Sequence, residues 1–197
     1  MSDIVLLEKA LNHTAALLGN VTPEQYSRPT PCEDFDVRAL ANYLVAGNPY
    51  YVILAQGGGP DFSLFARDQI GDQQPGDVYA QGAKEVLAAW QGEGALERQM
   101  PLPGGGMGPR IVDLHLLEAV LHGWDLATAT GQDRTGDSDA VQAAFAGWYG
   151  KFPDEVRPPP VCSAPPSPPL TTPRRRTGSL RTSAGPSDPR VSGQELN

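Results

Sequence analysis

The sequence predicts an all-α protein, a bundle of four main helices with a shorter fifth helix and a disordered C-terminal tail. Apolar residues recur at helical spacing in five separate segments. No segment keeps the strict alternation of a half-buried strand, and no internal repeat is present. Beyond Phe152 the composition changes sharply. The chain is therefore predicted to divide into a helical domain, residues 1–152, and a tail, residues 153–197.

The first two helices are predicted over residues 3–19 and 37–56. Ahead of the second helix, Asp36 is placed to act as its N-cap. Phe35 and Leu40, on either side of that cap, have the spacing of a hydrophobic staple. A folded N-terminus is therefore expected for the second helix.

Three further helices are predicted over residues 77–91, 110–129 and 140–152. Gly82 lies inside the first of these and costs about 1 kcal/mol relative to alanine. Asp139, followed three residues later by a glutamine, fits a capping box that would start the last and shortest helix.

Two loops separate these helices. A polar loop opens at Gln56 and runs to Gly76, and four apolar side chains are expected to pin it to the body: Phe62, Leu64, Phe65 and Ile70. Residues 101–109 contain three consecutive glycines, as phosphate-binding loops do. Such a loop needs a preceding strand and a following Gly-Lys-Ser/Thr, which this segment lacks, so a connector is predicted.

The charge distribution argues against a nucleic-acid partner. Residues 1–152 hold 9 of the 15 basic and 19 of the 23 acidic side chains, a net charge of −10. Neutralising phosphates requires a basic face. No apolar run reaches the length of about 20 residues that spans a bilayer, and the N-terminus does not have the pattern of a signal peptide. Two distant cysteines suit a reducing compartment. The protein is predicted to be cytoplasmic, with no membrane partner and with an oligomeric state that the sequence leaves open.

The tail, residues 153–197, holds 11 of the 20 prolines and no aromatic residue. Such a segment cannot bury enough apolar surface to offset the entropy of ordering it, so disorder is predicted. Its richness in proline, arginine and serine also resembles an out-of-frame translation of a GC-rich gene. We state that origin as a hypothesis, which confirmation of the reading frame would refute.

The segment 110–129 carries the residues of chemical interest. His115, Glu118 and His122 are spaced three and four apart and fall on one stripe, flanked by leucines and Trp124. Ionisable groups set in an apolar face are either satisfied by hydrogen bonds in the interior or bind something. Both interpretations stay open on the sequence.

Glu118 and His122 can reach one point beside their helix, because they are one turn apart. A carboxylate and an imidazole suit Zn²⁺ or a similar divalent cation. His115 lies about 10.5 Å from His122 along the helix axis, too far for both to bind one ion comfortably. A third ligand would have to come from a neighbouring helix. A core histidine satisfied by hydrogen bonds is the simpler alternative.

Two stretches resemble one family. The first is Thr30-Pro-Cys32 followed by Asp36-Val-Arg-Ala-Leu-Ala-Asn-Tyr-Leu-Val45, and the second is Glu118-Ala-Val-Leu-His-Gly-Trp-Asp-Leu-Ala-Thr-Ala-Thr-Gly-Gln132. They resemble the actinobacterial, metal-binding DinB-like proteins related to mycothiol-dependent maleylpyruvate isomerase. The resemblance covers about residues 3–152. It implies a DinB-like four-helix bundle that holds a divalent metal, often zinc, by a histidine on the second helix and an acid-x-x-x-His pair on a later one.

Carried over residue by residue, the resemblance makes Glu118 and His122 metal ligands and places the second-helix histidine at Tyr43, where this chain departs from the family. Three outcomes compete: Tyr43 binds as a phenolate, His115 or water replaces it, or the site is weakened or empty. We expect a weakened site of two residues completed by water. Asp125 could orient His122 through a hydrogen bond.

Two hypotheses of function follow. One is a metal-binding or small-ligand-binding bundle without efficient turnover. The other, implied by the resemblance, is a mycothiol-dependent isomerase or thiol S-transferase in which the metal activates the thiol. The partner in either case is a small molecule or a low-molecular-weight thiol. No residue is assigned as catalytic, because the sequence supplies no separate general base.

Overall fold

The computed structural model of the protein describes residues 4–100 and 106–149. Those ranges form helices and connecting turns, with no β-strand among them, which confirms the all-α prediction. The five α-helices are α1 (Ile4–Gly19), α2 (Val37–Ala55), α3 (Pro75–Trp90), α4 (Gly108–Thr130) and α5 (Ser138–Trp148). The four main helices and the shorter fifth helix are those that the apolar periodicity predicts.

Helices α1 and α2 occupy opposite corners of the bundle, because each packs against both α3 and α4. Helix α5 lies against α4 and α1. Aliphatic side chains from α1, α2 and α4 fill the interior with Tyr79 and Trp90 of α3, each 1% exposed. This arrangement brings the inner faces of α2 and α4 together, and those faces carry the predicted site.

The N-terminus of α2 agrees with its prediction. The Asp36 carboxylate accepts a hydrogen bond of 2.8 Å from the backbone N–H of Ala39, as an N-cap does. Two other starts were predicted two residues too late. Helix α3 begins at Pro75, whose fixed φ suits the first helical position, and α4 begins at Gly108, directly before another proline.

The predicted cap of α5 is wrong. Asp137, rather than Asp139, accepts hydrogen bonds from two backbone N–H groups of the first turn, at 3.1 and 3.0 Å. The same carboxylate lies 3.3 Å from Nζ of Lys9 on α1. The Asp139 carboxylate lies at the same distance, 3.3 Å, from that Nζ, so the ion pair does not select between the two aspartates. Asp139 already lies within the first turn, where its own backbone N–H donates to Asp137. The helix ends at Trp148, and residues 150–152 of its predicted span lie outside the described residues.

The loop between α2 and α3 contains a short 3₁₀ helix, Phe62–Ala66. Ile70 is fully buried and two further apolar side chains pack against the core, as predicted for Leu64 and Phe65. Phe62 is an exception, because 65% of it is exposed. Its ring still contacts that of Tyr50 on α2, with centroids 5.7 Å apart, so Phe62 meets the body of the bundle as predicted but without being buried.

Two sequence predictions lie beyond the described ranges. The tail, residues 153–197, and most of the glycine-rich connector fall outside them. The predicted division at residue 152 therefore stays a prediction. Within residues 4–100 and 106–149, no helix combines the length and apolarity that crossing a bilayer requires.

Candidate functional site: an aromatic cavity with one carboxylate

A cavity of about 400 Å³ lies between the inner faces of α2 and α4. Six aromatic residues contribute to its lining: Tyr43, Tyr50, Tyr51, Phe62, Phe65 and Tyr79. Leu44, Leu114 and Ala119 add aliphatic surface, and Gly47 leaves space because it carries no side chain. Glu118 is the single carboxylate among the described lining residues, and none of them is Lys or Arg. The cavity is therefore apolar with one acidic point.

Tyr43, Glu118 and His122 meet at this acidic point. The Tyr43 hydroxyl donates a hydrogen bond of 3.0 Å to Oε2 of Glu118. Nε2 of His122 lies 3.3 Å from the same oxygen. The ring of Tyr43 also meets that of His122 edge-on, with their centroids 5.2 Å apart. The structure thus brings together the three side chains that were predicted to share one site, although α2 and α4 are far apart in the chain.

His122 is held from both sides. Its Nδ1 lies 3.1 Å from Oδ2 of Asp125, and its Nε2 faces Glu118. Burial opposes the charged imidazolium, but the hydrogen bonds with Asp125 and Glu118 outweigh burial and raise the pKa of His122 to about 9. At neutral pH the histidine is therefore protonated and bridges two carboxylates. The predicted contact with Asp125 is present.

Glu118 stays ionised in this arrangement. Burial favours its neutral form, but the hydrogen bonds from His122 and Tyr43 stabilise the carboxylate and lower the pKa of Glu118 below its ordinary value of 4.5. Burial and the neighbouring Glu118 carboxylate together raise the pKa of Tyr43 well above 10. Tyr43 is therefore a neutral phenol that donates a hydrogen bond to the carboxylate.

His115 does not join this group. It is 3% exposed and stacks on Tyr51, with ring centroids 3.9 Å apart and planes 13° from parallel. Burial lowers its pKa to about 3, so the ring is neutral, and its Nδ1 has no hydrogen-bond partner in the described structure. The stripe of three ionisable groups in the sequence thus separates into an ion pair and a stacked core histidine. Hydrogen bonds satisfy Glu118 and His122 in the interior, whereas binding at this stripe stays a prediction.

The aromatic wall itself is the part of the site that sequence reasoning missed. Tyr43 packs on Phe65 at 5.0 Å, Phe65 on Tyr50 at 5.4 Å, and Tyr50 on Tyr51 at 5.3 Å. The spacing of Tyr43, Gly47 and Tyr50 on α2 is a helical i, i+4, i+7 pattern. That spacing on α2 can be recognised in the sequence, whereas the contribution of the loop residue Phe65 cannot.

As these side chains are arranged, they do not fit a divalent cation. Protein zinc sites use three or four ligands, and a catalytic site uses three plus water. Here Tyr43 is a protonated phenol, and both nitrogens of His122 already face carboxylates. Within the described ranges, no cluster of three or more His, Cys, Asp or Glu is placed to hold a metal ion. The assignment of Glu118, His122 and Tyr43 as metal ligands therefore stays a prediction.

Comparisons with known proteins agree with the resemblance in the sequence. The sequence model of one family, the mycothiol maleylpyruvate isomerase N-terminal domain, matches residues 7–127. An uncharacterized protein of Mycobacterium tuberculosis strain ATCC 25618 / H37Rv is 30% identical over 152 residues, which cover 74% of this chain and 77% of that protein. A protein of strain CDC 1551 / Oshkosh gives the same values. No solved structure matches significantly. The chain therefore belongs to the mycothiol maleylpyruvate isomerase N-terminal domain family.

Proposed function

We propose that this protein is a small-molecule-binding member of its family, and that its ligand occupies the aromatic cavity between α2 and α4. One observation carries the proposal: a cavity of about 400 Å³ lined by aromatic rings contains a single ionised carboxylate. Binding sites for small molecules commonly have volumes of about 300–1,000 Å³, mostly apolar walls and a few polar groups that fix orientation. The Glu118 carboxylate would be the orienting group.

The contacts around Glu118 favour binding over turnover. His122 and Tyr43 both engage Oε2 of this carboxylate, and Asp125 engages the far side of His122. Each of these groups stabilises another in the resting protein, so none of them is placed as a general base for a reacting substrate. The site is organised as a fixed polar anchor beside an apolar space.

Gly47 provides the means to test the proposal. It lies in the lining of the cavity, and a Cβ added there would meet no atom within 4 Å. Gly47→Leu should therefore fill the cavity without displacing the backbone. Gly147→Leu is a matched control, because Gly147 on α5 also has open space around its Cβ position and does not line the cavity.

The measurement is a titration with 2-phenylethanol, a small aromatic alcohol, followed by calorimetry or ligand-observed NMR. Saturable binding to the wild type and to Gly147→Leu, with loss of binding in Gly47→Leu, is the expected result. Binding that persists in Gly47→Leu would place the ligand elsewhere. If neither the alcohol nor its amine and acid analogues bind, the proposal is wrong.

A second candidate function keeps the metal and thiol chemistry that the resemblance implies. The convergence of Glu118 and His122 to 3.3 Å favours it, because the acid-x-x-x-His pair does meet at one point. A divalent cation, zinc above all, would need His122 to lose its Nε2 proton, and Tyr43 supplies no third ligand while it stays protonated. A mycothiol-dependent isomerase or transferase would need that rearrangement before any thiol could bind at the metal.

Metal content separates the two candidates. Elemental analysis of the purified full chain should give well under one zinc per chain for the wild type, and Tyr43→His should raise that value. Glu118→Ala and His122→Ala serve as controls, because each removes one predicted ligand. Stoichiometric zinc in the wild type, lost in both alanine variants, would favour the metal-dependent candidate over the cavity without metal.

A further inference from the structure

The cavity combines two features that recognise positive charge. Aromatic faces carry a negative quadrupole, and organic ammonium groups are bound by cages of such faces. Ionised carboxylates form strong, charge-assisted hydrogen bonds with N–H donors. Aromatic faces and an ionised carboxylate line the same cavity here, so the lining indicates the class of ligand that would bind.

The aromatic residues form a continuous wall rather than scattered contacts. Four successive ring pairs connect Phe35 to Tyr51 with centroid separations of 5.4, 5.0, 5.4 and 5.3 Å, through Tyr43, Phe65 and Tyr50. Phe62 extends the wall from Tyr50 at 5.7 Å. All but the first of these rings line the cavity. Aromatic rings would therefore contact a large part of the surface of a ligand in the cavity.

Glu118 presents one unused oxygen to this space. Its contacts with Tyr43 and His122 both fall on Oε2, and no described residue donates a hydrogen bond to Oε1. The Glu118 side chain is 29% exposed, so water reaches it while the cavity is empty. A ligand that covers Glu118 removes this water and leaves Oε1 without a hydrogen-bond partner unless it brings a donor of its own.

The charges around the cavity favour a cation over a neutral donor or an anion. Two carboxylates, Glu118 and Asp125, surround one imidazolium, His122, which leaves the cluster with a formal charge of −1. His115, the other ionisable group that could add positive charge, is neutral because it is buried and stacked on Tyr51. An anionic ligand would therefore meet a negative charge and no compensating cation in the described lining.

We propose that the cavity is a site for an organic ammonium ion with an apolar or aromatic body, whose N–H groups bind Oε1 of Glu118 while the aromatic wall encloses the rest. This inference rests on the proposed function, because it names the class of ligand for the same cavity. The body of the ligand contacts Tyr50, Phe62 and Phe65, and the charged end lies towards α4. The family match does not itself predict a preference for cationic ligands.

The test compares three probes of nearly equal size and different charge: 2-phenylethylammonium, 2-phenylethanol and phenylacetate. The ammonium should bind the wild type at least about tenfold more tightly than the alcohol, since a desolvated cation gains from both the carboxylate and the aromatic faces. Phenylacetate should bind most weakly. Titrations at low and physiological salt with the full chain give the three affinities.

Variants assign the preference to its cause. Glu118→Gln keeps the size of the side chain and removes its charge, so the advantage of the ammonium should fall to less than about threefold while the alcohol still binds. Glu8→Gln makes the same change on the exposed face of α1 and should leave the preference intact. Phe65→Leu should weaken binding of the ammonium more than binding of the alcohol, because it removes one aromatic face.

The outcomes distinguish this inference from the function on which it rests. Equal affinities for ammonium and alcohol, both abolished by Gly47→Leu, would overturn the cation proposal and leave the cavity as a site for neutral aromatic molecules. A preference that survives Glu118→Gln would also overturn it. Failure of all three probes to bind would overturn the proposed function itself.

Discussion

The phenol of Tyr43 links α2 to the charged cluster on α4 by a single hydrogen bond. Its hydroxyl lies 3.0 Å from Oε2 of Glu118, while its ring is packed between Phe35 and Phe65. Tyr43→Phe removes the hydroxyl and keeps the ring. Hydrogen bonds to charged groups contribute about 1.5–3 kcal/mol, so a loss of about 2 kcal/mol in the free energy of unfolding is expected. Urea denaturation measures it.

Tyr149→Phe is the control for this change, because Tyr149 is 73% exposed and should lose less than about 0.5 kcal/mol. The comparison isolates the buried hydrogen bond from any general effect of removing a hydroxyl. Equal stabilities of Tyr43→Phe and the wild type would show that the bond between the phenol and Glu118 contributes nothing to holding α2 against α4.

His122 makes the stability of the fold depend on pH. Its pKa rises from 6.5 in the unfolded chain to about 9 in the folded protein, because it gains two carboxylate partners. Because the folded protein binds this proton more tightly than the unfolded chain does, protonated His122 contributes fully to stability below pH 6.5. That contribution is lost as the pH rises through 9. A decrease on the order of 3 kcal/mol is therefore expected in the free energy of unfolding between pH 6.5 and 10.

Glu118 acts in the opposite direction at acidic pH. Its pKa is lowered by folding, so its contribution is present above pH 4.5 and is lost as the pH falls below that value. Denaturation at a series of pH values should give a free energy of unfolding that is greatest between these two losses. The alkaline loss should disappear in His122→Gln and persist in His13→Gln, and its persistence in both variants would assign it to another group.

The sequence predicted the identity of the charged residues better than their roles. Helical spacing alone placed Glu118 and His122 one turn apart, and the resemblance added Tyr43 from another helix. The spacing could not show that His115 turns away to stack on Tyr51, because both orientations keep an imidazole on an apolar face. It also could not show that His122 is protonated, with one ring nitrogen facing Glu118 and the other facing Asp125.

At the scale of the helices, the close approach of α2 and α3 depends on one missing side chain. A Cβ added at Gly82 would lie 2.8 Å from Cβ of Asn48, a contact too short for real side chains. Asn48 is fully buried, and its side-chain amide donates to the backbone carbonyl of Tyr79 at 3.1 Å. The asparagine therefore cannot easily give way. The cost that glycine adds to the helix is offset by this packing.

Gly82→Ala should therefore destabilise the protein even though alanine is the better helix former. The gain in helix propensity is about 1 kcal/mol, and overpacking costs about 1–3 kcal/mol, so a net loss of about 1 kcal/mol is expected in the free energy of unfolding. Gly47→Ala, inside α2 and with open space around its Cβ position, should instead gain up to about 1 kcal/mol. A stabilised Gly82→Ala variant would contradict the close packing of α2 and α3.

The elements themselves were largely predictable from local signals. The Asp36 cap fixed the start of α2, and Gly131 ends α4 in the left-handed conformation with a φ of 75°. The errors lie in where three of the helices begin. Prolines mark the true starts of α3 and α4. At α5, Asp137 and Asp139 are both adequate caps by sequence, and Lys9 lies 3.3 Å from both carboxylates, so neither the local pattern nor the ion pair selects Asp137.

At the scale of the whole molecule, α5 closes the bundle and marks the end of its described core. Ala140 and Ala144 are buried, and Ala144 is the last buried residue of the described ranges. The Trp148 indole N–H donates to the backbone carbonyl of Asp113 on α4 at 3.1 Å. The guanidinium of Arg110 lies over the same indole, 3.4 Å from its centroid. These contacts tie the last helix to the helix that carries Glu118 and His122.

Two truncations test whether the fold is complete at this helix. A chain that ends after residue 152 keeps all of α5 and loses a segment with no aromatic residue, so its melting temperature should stay within about 2 °C of that of the full chain. A chain that ends after Asp137 loses α5 and exposes the face of α4 that Trp148 covers. Its melting temperature should fall by at least about 5 °C in circular dichroism, since each kilocalorie lost lowers it by about 2–4 °C in a protein of this size. A comparable loss in the longer of the two truncated chains would mean that residues 153–197 contribute to the fold, which would contradict the predicted boundary at residue 152.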